Sequence, residues 1–239
     1  MQNFLNSLVF GIYPYVALAV LIVGTVVRYD REPYTWRSGS SQLLRRRQLV
    51  WGSVLFHLGV LMIFAGHLVG LLTPIALFDA LGVSHGAKQM LAIVAGGVAG
   101  VMAIIGATLL VHRRLFDVRV RAASSTSDTL IIILLWIQLA LGLLTIPVSM
   151  QHLDGHEMVK FMNWAQGIFT FNPEASGYVA DAAPIFKLHL FLGLTILLVF
   201  PFTRLVHMLS APVRYLWRPG YQVVRQKPSR AASVRLPAE

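Results

Sequence analysis

Apolar positions in this chain gather into five unbroken runs, at residues 4–27, 49–72, 90–111, 129–150 and 185–209. Each is about 20 residues or longer, the length an α-helix needs to cross a hydrocarbon core ~30 Å thick. None alternates apolar with polar positions, so the runs read as helices and not as barrel strands. The pattern predicts an all-α membrane protein with five transmembrane helices. No internal repeat interrupts it, and no stretch remains for a separate soluble domain. Residues 1–221 are expected to form the membrane domain, and residues 222–239 a mobile basic tail on the cytoplasmic side.

Composition agrees with the pattern. Only 13% of the 239 residues are charged and 56% are hydrophobic, which is too little charge for a soluble domain of this size. There is no cysteine, which excludes disulfides, Cys-ligated iron–sulfur clusters and thioether-attached haem. No Lys or Arg precedes Arg28, so the first run lacks the basic lead of a cleaved signal and reads as a span.

The net charge of +10 then acquires a topological meaning. Of 20 Lys and Arg residues, six lie between Arg28 and Arg47, four between Arg113 and Arg121, and seven from Arg204 to Arg235. With five alternating helices, these three segments fall on one side. The positive-inside rule places the N-terminus outside and the C-terminus in the cytoplasm. The basic residues flank spans and do not cover one face of a domain, so no nucleic-acid partner is expected.

Four histidines lie within predicted spans: His57 and His67 in the second, His189 and His207 in the fifth. An ionisable group inside a span is costly unless it faces the protein interior and has a partner. One such histidine could be explained by an interhelical hydrogen bond. Four in two antiparallel helices pair by depth, His57 with His207 near the cytoplasm and His67 with His189 near the outside. Two facing imidazoles at one depth are what a six-coordinate haem iron needs. Spacing agrees only in part: ten residues on the second helix span ~15 Å, whereas eighteen on a continuous fifth helix span ~27 Å. Pro201 lies between His189 and His207 and is expected to kink the fifth helix.

Small and cationic neighbours fit the same picture. Gly59, Gly66 and Gly70 sit beside the histidines of the second helix, and Gly193 lies one turn after His189. Such glycines admit a macrocycle, although ordinary small-residue helix packing also favours them. Arg204 is a candidate partner for the propionates of the inner haem. Arg113 and Arg114 read first as side chains snorkelling to lipid phosphate. His152 and His156 have i, i+4 spacing but lack a metal-binding motif. His85 is expected as a solvated outer residue, and His112 as a cap on the basic end of the third helix.

Several stretches carry a resemblance: IYPY at 12–15, YTWRSGSSQ at 34–42, FHLG and GHLVGLLTP within 56–74, AGG at 95–97, RRLF at 113–116, LGLLTIP at 141–147, QHLDG at 151–155, KLHL at 187–190 and RLVH at 204–207. In these the chain resembles the gamma subunit of respiratory nitrate reductases, a bacterial inner-membrane cytochrome b. The likeness runs to about Tyr221. It implies two b-type haems, a proximal one on His57 and His207 and a distal one on His67 and His189. It also implies quinol as substrate, bound near the distal haem beside Lys88. Without the resemblance, Lys88 reads equally as a lysine snorkelling at the outer interface. The implied partners are a cytoplasmic iron–sulfur beta subunit and a molybdenum-containing alpha subunit. They are expected to dock on residues 34–42 and on the region after His207.

Three other readings remain open at this stage. A cytochrome b of another quinone-linked anaerobic reductase would keep the histidines and change the partners. A transporter with a histidine proton relay would bind no haem, but intramembrane Asp or Glu and an inverted repeat are missing. An inert anchor would leave four intramembrane imidazoles without a role.

Overall fold

A computed structural model describes residues 2–36 and 44–210. The expected tail at 222–239 and most of the 34–42 docking stretch lie outside the described residues. Among the described residues, five helices are long and apolar enough to cross a membrane. They are α1 (Phe4–Arg31), α2 (Arg46–Leu72), α4 (His85–Phe116), α6 (Thr126–Ser149) and the fifth, Pro184–Phe202, whose α-helical part is α8 (Pro184–Val199). Three shorter helices connect them: α3 (Ile75–Ala80), α5 (Val118–Ala122) and α7 (His156–Phe169).

The helix starts follow local chemistry. Ser84 caps α4 by accepting from the Ala87 amide, and Ser125 caps α6 by accepting from Asp128. The α4 helix therefore begins five residues before the expected apolar run, and Lys88 lies in its first turn. Asp117 caps α5, its carboxylate accepting from the amides of Arg119 and Val120.

The spans pack in the order α2, α4, α6, α8, α1, each against the next. No close packing joins α2 to α8 or to α1, so the five form an arc around a hollow. Glycine sets the tightest contact. A Cβ on Gly59 would sit 2.6 Å from the Ala103 amide nitrogen and from the Ala99 carbonyl oxygen, and one on Gly106 would overlap the Phe56 backbone nitrogen. Gly59 therefore serves the α2–α4 contact, and the reading of it as room for a macrocycle is corrected. Gly100 likewise packs against Leu143.

The fifth span departs from the expected continuous helix at 185–209. The α-helix ends at Val199, and 3-10 turns follow at Phe200–Phe202 and Arg204–Ser210. Proline has no N–H and its ring obstructs the preceding turn, so a break near Pro201 is expected. The chain does more than kink, because Thr203 is fully extended, with φ −118° and ψ 177°. Arg28 on α1 stabilises the break by donating Nη1 to the carbonyls of Pro201 (2.6 Å) and Thr203 (2.8 Å). One turn earlier on α1, Gly24 lets the Pro201 ring approach; a Cβ there would lie 2.9 Å from its Cγ. His207 thus lies beyond the fifth α-helix and not within it.

At the end where α2 finishes and α4 begins, α7 and the 3-10 turn Ala175–Val179 cap the arc. Trp164 is buried and donates Nε1 to the Phe10 carbonyl at 2.9 Å. Gln166 donates to the carbonyls of Leu71 and Thr73 at 3.1 and 3.0 Å, closing the C-terminal end of α2. Gly155 has φ 82° and starts α7; a Cβ there would meet the His85 backbone at 2.5 Å.

Candidate functional site

The hollow of the arc brings the intramembrane histidines together in two pairs. The rings of His57 and His207 have centroids 6.3 Å apart, and so do those of His67 and His189. The change of direction after Val199 reconciles the two spacings. His189 is ten residues from the end of α8, about 15 Å, which matches the ~15 Å between His57 and His67. A continuous helix would have carried His207 beyond the depth of His57.

Three of the four rings are oriented by the backbone. Nδ1 of His57 lies 2.7 Å from the Ser53 carbonyl, Nδ1 of His67 lies 2.8 Å from that of Ile63, and Nδ1 of His207 lies 2.5 Å from that of Arg204. A carbonyl can only accept, so each Nδ1 carries the hydrogen and each Nε2 keeps a free lone pair. That is the tautomer a metal ligand needs, with its second nitrogen held in place. The spacing fits as well. Half of 6.3 Å is about 3.1 Å, close to a metal–imidazole bond of ~2.0 Å plus ~1.1 Å from ring nitrogen to ring centroid. His57 and His67 are exposed, and His189 and His207 are half-buried.

The glycines divide into two sets. Ideal Cβ atoms on Gly66 and Gly70 would meet nothing within 4 Å. These two, unlike Gly59, leave a smooth surface beside His67 that a planar ring system can lie against. Gly193 faces the amide of Gln138, which a Cβ would approach to 3.2 Å.

At the end where α4 finishes and α6 begins, Arg204 Nε lies 3.7 Å from Asp128 Oδ1, and Arg114 Nη1 lies 3.5 Å from Asp128 Oδ2. Two guanidiniums thus share one carboxylate beside the His207 turn, an arrangement with net positive charge that suits a carboxylate-bearing ligand. The snorkelling expectation for Arg113 and Arg114 is corrected. Arg113 is buried and donates Nη2 to the Leu44 carbonyl at 2.7 Å, while Arg114 turns to Asp128.

At the opposite end, Lys88 is only 6% exposed. Its ammonium has no hydrogen-bond partner among the described residues and lies 4.4 Å above the Phe78 ring of α3. The remaining histidines meet local partners. His85 is the first residue of α4 and lies 3.2 Å from Asp79, His152 meets the Val148 carbonyl, and His156 lies 3.9 Å from Asp154. His112 meets Gln48 at 3.2 Å. Among the described residues, no three His, Asp or Glu side chains gather as a metal-ion site of their own.

Reading the sequence missed Arg28, taken only as part of the inner charge, and Gln138, a lone polar residue in an apolar run. A glutamine inside a span was the available signal.

A model of the nitrate reductase gamma subunit family matches residues 6–227. The respiratory nitrate reductase 1 gamma chain of Escherichia coli (strain K12) is 51% identical over 226 residues, covering 95% of this chain and all of that one. The respiratory nitrate reductase 2 gamma chain of the same organism is 49% identical over 227 residues, with the same coverage. The nitrate reductase gamma chain of Bacillus subtilis (strain 168) is 36% identical over 223 residues, 93% of this chain and 99% of that one.

Proposed function

This chain belongs to the nitrate reductase gamma subunit family, and from that premise we propose that it is the quinol-oxidising dihaem cytochrome b that anchors a respiratory nitrate reductase to the bacterial inner membrane. The observation that carries the reading is the two imidazole pairs, both at 6.3 Å, in one membrane-spanning hollow. His57 and His207 would hold the proximal haem, and His67 and His189 the distal one. Bound there, the haems supply one-electron carriage between the two faces of the membrane. Gly66 and Gly70 give the distal group its flat wall. Arg204, with Arg114, would supply cationic partners for the carboxylates of the proximal one.

Lys88 is the quinol-binding residue in this reading. Its ammonium is buried, lacks a hydrogen-bond acceptor and stands at the outer start of α4, where a quinol oxygen can accept from it. The Phe78 ring shields the position from water. Oxidation at this face releases two protons outward while two electrons leave toward the cytoplasm. Each charge moved against a 100 mV membrane potential requires about 2.3 kcal/mol, so the driving force of nitrate reduction must exceed that. Nitrate itself is reduced on the molybdenum-containing alpha subunit, reached through the iron–sulfur beta subunit.

The orientation follows the basic segments, with the N-terminus outside and the C-terminus cytoplasmic. The partners then dock near Tyr34 and the His207 turn. The cytoplasmic end of α4 adds a cavity of about 500 Å³ lined by Leu44, Arg45, Phe116, Asp117, Val118 and Arg119. Phe116 and Val118 are exposed there, as a protein interface requires.

The test is a dithionite-reduced minus oxidised optical spectrum of the purified complex, with haem quantified per gamma chain. Two b-type haems per chain, and one after His67→Ala, are expected. Haem-free protein made with ample haem supply would overturn the reading.

A further inference from the structure

Three of the four paired histidines have Nδ1 tied to a backbone carbonyl three or four residues earlier, and His189 does not. Its Nδ1 is buried and has no partner. The side chain that meets His189 comes from the neighbouring span. Gln138 on α6 donates Nε2 to the His189 carbonyl at 3.1 Å and lies 3.4 Å from the ring Nε2. The two residues face each other through reciprocal glycines. A Cβ on Gly142, one turn after Gln138, would lie 3.1 Å from His189 Cε1, and a Cβ on Gly193, one turn after His189, would lie 3.2 Å from Gln138 Nε2. Each polar side chain therefore fills the space beside the other helix's glycine. Gln138 Oε1 is also buried without a partner. An orphaned amide oxygen accepts, and an orphaned Nδ1 donates when Nε2 is the metal ligand. The two unpaired atoms are complementary, but the side chains now touch at the ring Nε2, so Oε1 reaches Nδ1–H when the imidazole turns to free Nε2 for the metal.

We propose that Gln138 is the positioning residue of His189: it supplies from α6 the acceptor that the backbone supplies to the other three rings. Resting on the dihaem reading above, this assigns the outer centre a ligand oriented by a side chain and the inner centre two ligands oriented by carbonyls. The outer centre is thus the one a single substitution can tune. An acceptor on Nδ1–H increases the electron donation of Nε2 and favours the oxidised metal. Its loss disfavours that state.

The experiment is a potentiometric titration of the intact complex, with the two haems resolved optically and by their low-spin electron paramagnetic resonance signals. Gln138→Leu, close in volume and unable to hydrogen-bond, should raise the outer midpoint potential and shift the outer signal. The inner haem should be unchanged and the haem content should stay at two per chain. Gln138→Glu, which restores a stronger acceptor, should move the outer potential the opposite way. If Gln138→Leu loses the outer haem, Gln138→Glu should retain it. Wild-type outer potential and signal in a fully loaded Gln138→Leu protein, or equal loss of the outer haem in both variants, would overturn the proposal. Wild-type protein without haem would instead sink the dihaem reading on which it rests.

Discussion

A lysine at the outer end of a spanning helix ordinarily extends its ammonium into the headgroups. Lys88 turns inward to the Phe78 ring and leaves three N–H groups without acceptors. Burying a cation this way is costly, and the cost falls if a ligand oxygen completes its hydrogen bonding. Lys88→Met keeps the length and removes the charge. Quinol oxidation should fall in kcat/KM by roughly 10- to 100-fold, the equivalent of one hydrogen bond to a charged group at about 1.5–3 kcal/mol. Haem content should stay at two per chain. Unchanged quinol kinetics in that variant would remove Lys88 from the site. Composition alone could not separate the two roles of this lysine, because both place it at the same depth. The short α3 helix, which brings Phe78 over it, argues only against snorkelling, because it holds the ammonium 4.4 Å above that ring.

At the scale of elements, the glycines of α2 belong to different surfaces although they share a helix. Gly59 faces the α4 backbone at 2.6 Å, whereas Gly66 faces no protein atom within 4 Å. Gly59→Ala should force α2 and α4 apart and lower thermal stability in detergent by about 1–3 kcal/mol. Gly66→Ala should leave the chain as stable, or slightly more so from helix propensity, and show its effect only as weaker haem retention. Melting curves and haem-to-protein ratios on the pair separate the two. The break after Val199 makes a similar case. Arg28 holds the Pro201 and Thr203 carbonyls, and the His207 turn follows directly. Arg28→Met removes two hydrogen bonds to Thr35 and two charge-assisted ones to the break, the latter worth about 1.5–3 kcal/mol each. The expected result is one haem per chain, with the inner one lost or weakened. Two haems with an unaltered inner spectrum would show that the turn holds itself.

Across the whole molecule, the arc of spans is capped at one end by α7, which an ion-pair clamp ties to the segment before α8. Lys160 donates to Glu157 at 2.8 Å and to Asp181 at 2.7 Å. The hydrogen bond to Asp181, then that to Glu157, raises the Lys160 pKa above the ordinary 10.5. The same ammonium lowers that of Asp181 below the ordinary 3.8. A raised lysine pKa gives stability that is complete below 10.5 and lost as pH rises through the folded value. A lowered aspartate pKa gives stability that is complete above 3.8 and lost as pH falls through the folded value. The clamp is therefore constant from about pH 5 to 9. Being partly exposed, it contributes no more than about 1 kcal/mol. Limited proteolysis of the 170–183 loop should be pH-independent across that range in the wild type. It should accelerate only a few-fold in Lys160→Met. A steep pH dependence between 5 and 9 would mean that another group governs the cap.

The apolar runs, the charge parity and the four histidines were open to inspection in the sequence because each rests on one-dimensional chemistry. Run length follows from bilayer thickness, and an imidazole in hydrocarbon is anomalous wherever it points. The family likeness was legible in the same way, from short stretches in every span. Three features were decided only by tertiary contacts: the end of α8 at Val199, the order α2–α4–α6–α8–α1, and the meeting of Gln138 with His189. Proline alone announces a kink, but Arg28, supplied by α1, determines that the chain turns and where His207 comes to rest. Hydropathy does not distinguish the faces of a helix surrounded by lipid on one side and protein on the other. Which glycine packs, which cation is buried and which amide reaches a ring depend on neighbours far away in the chain.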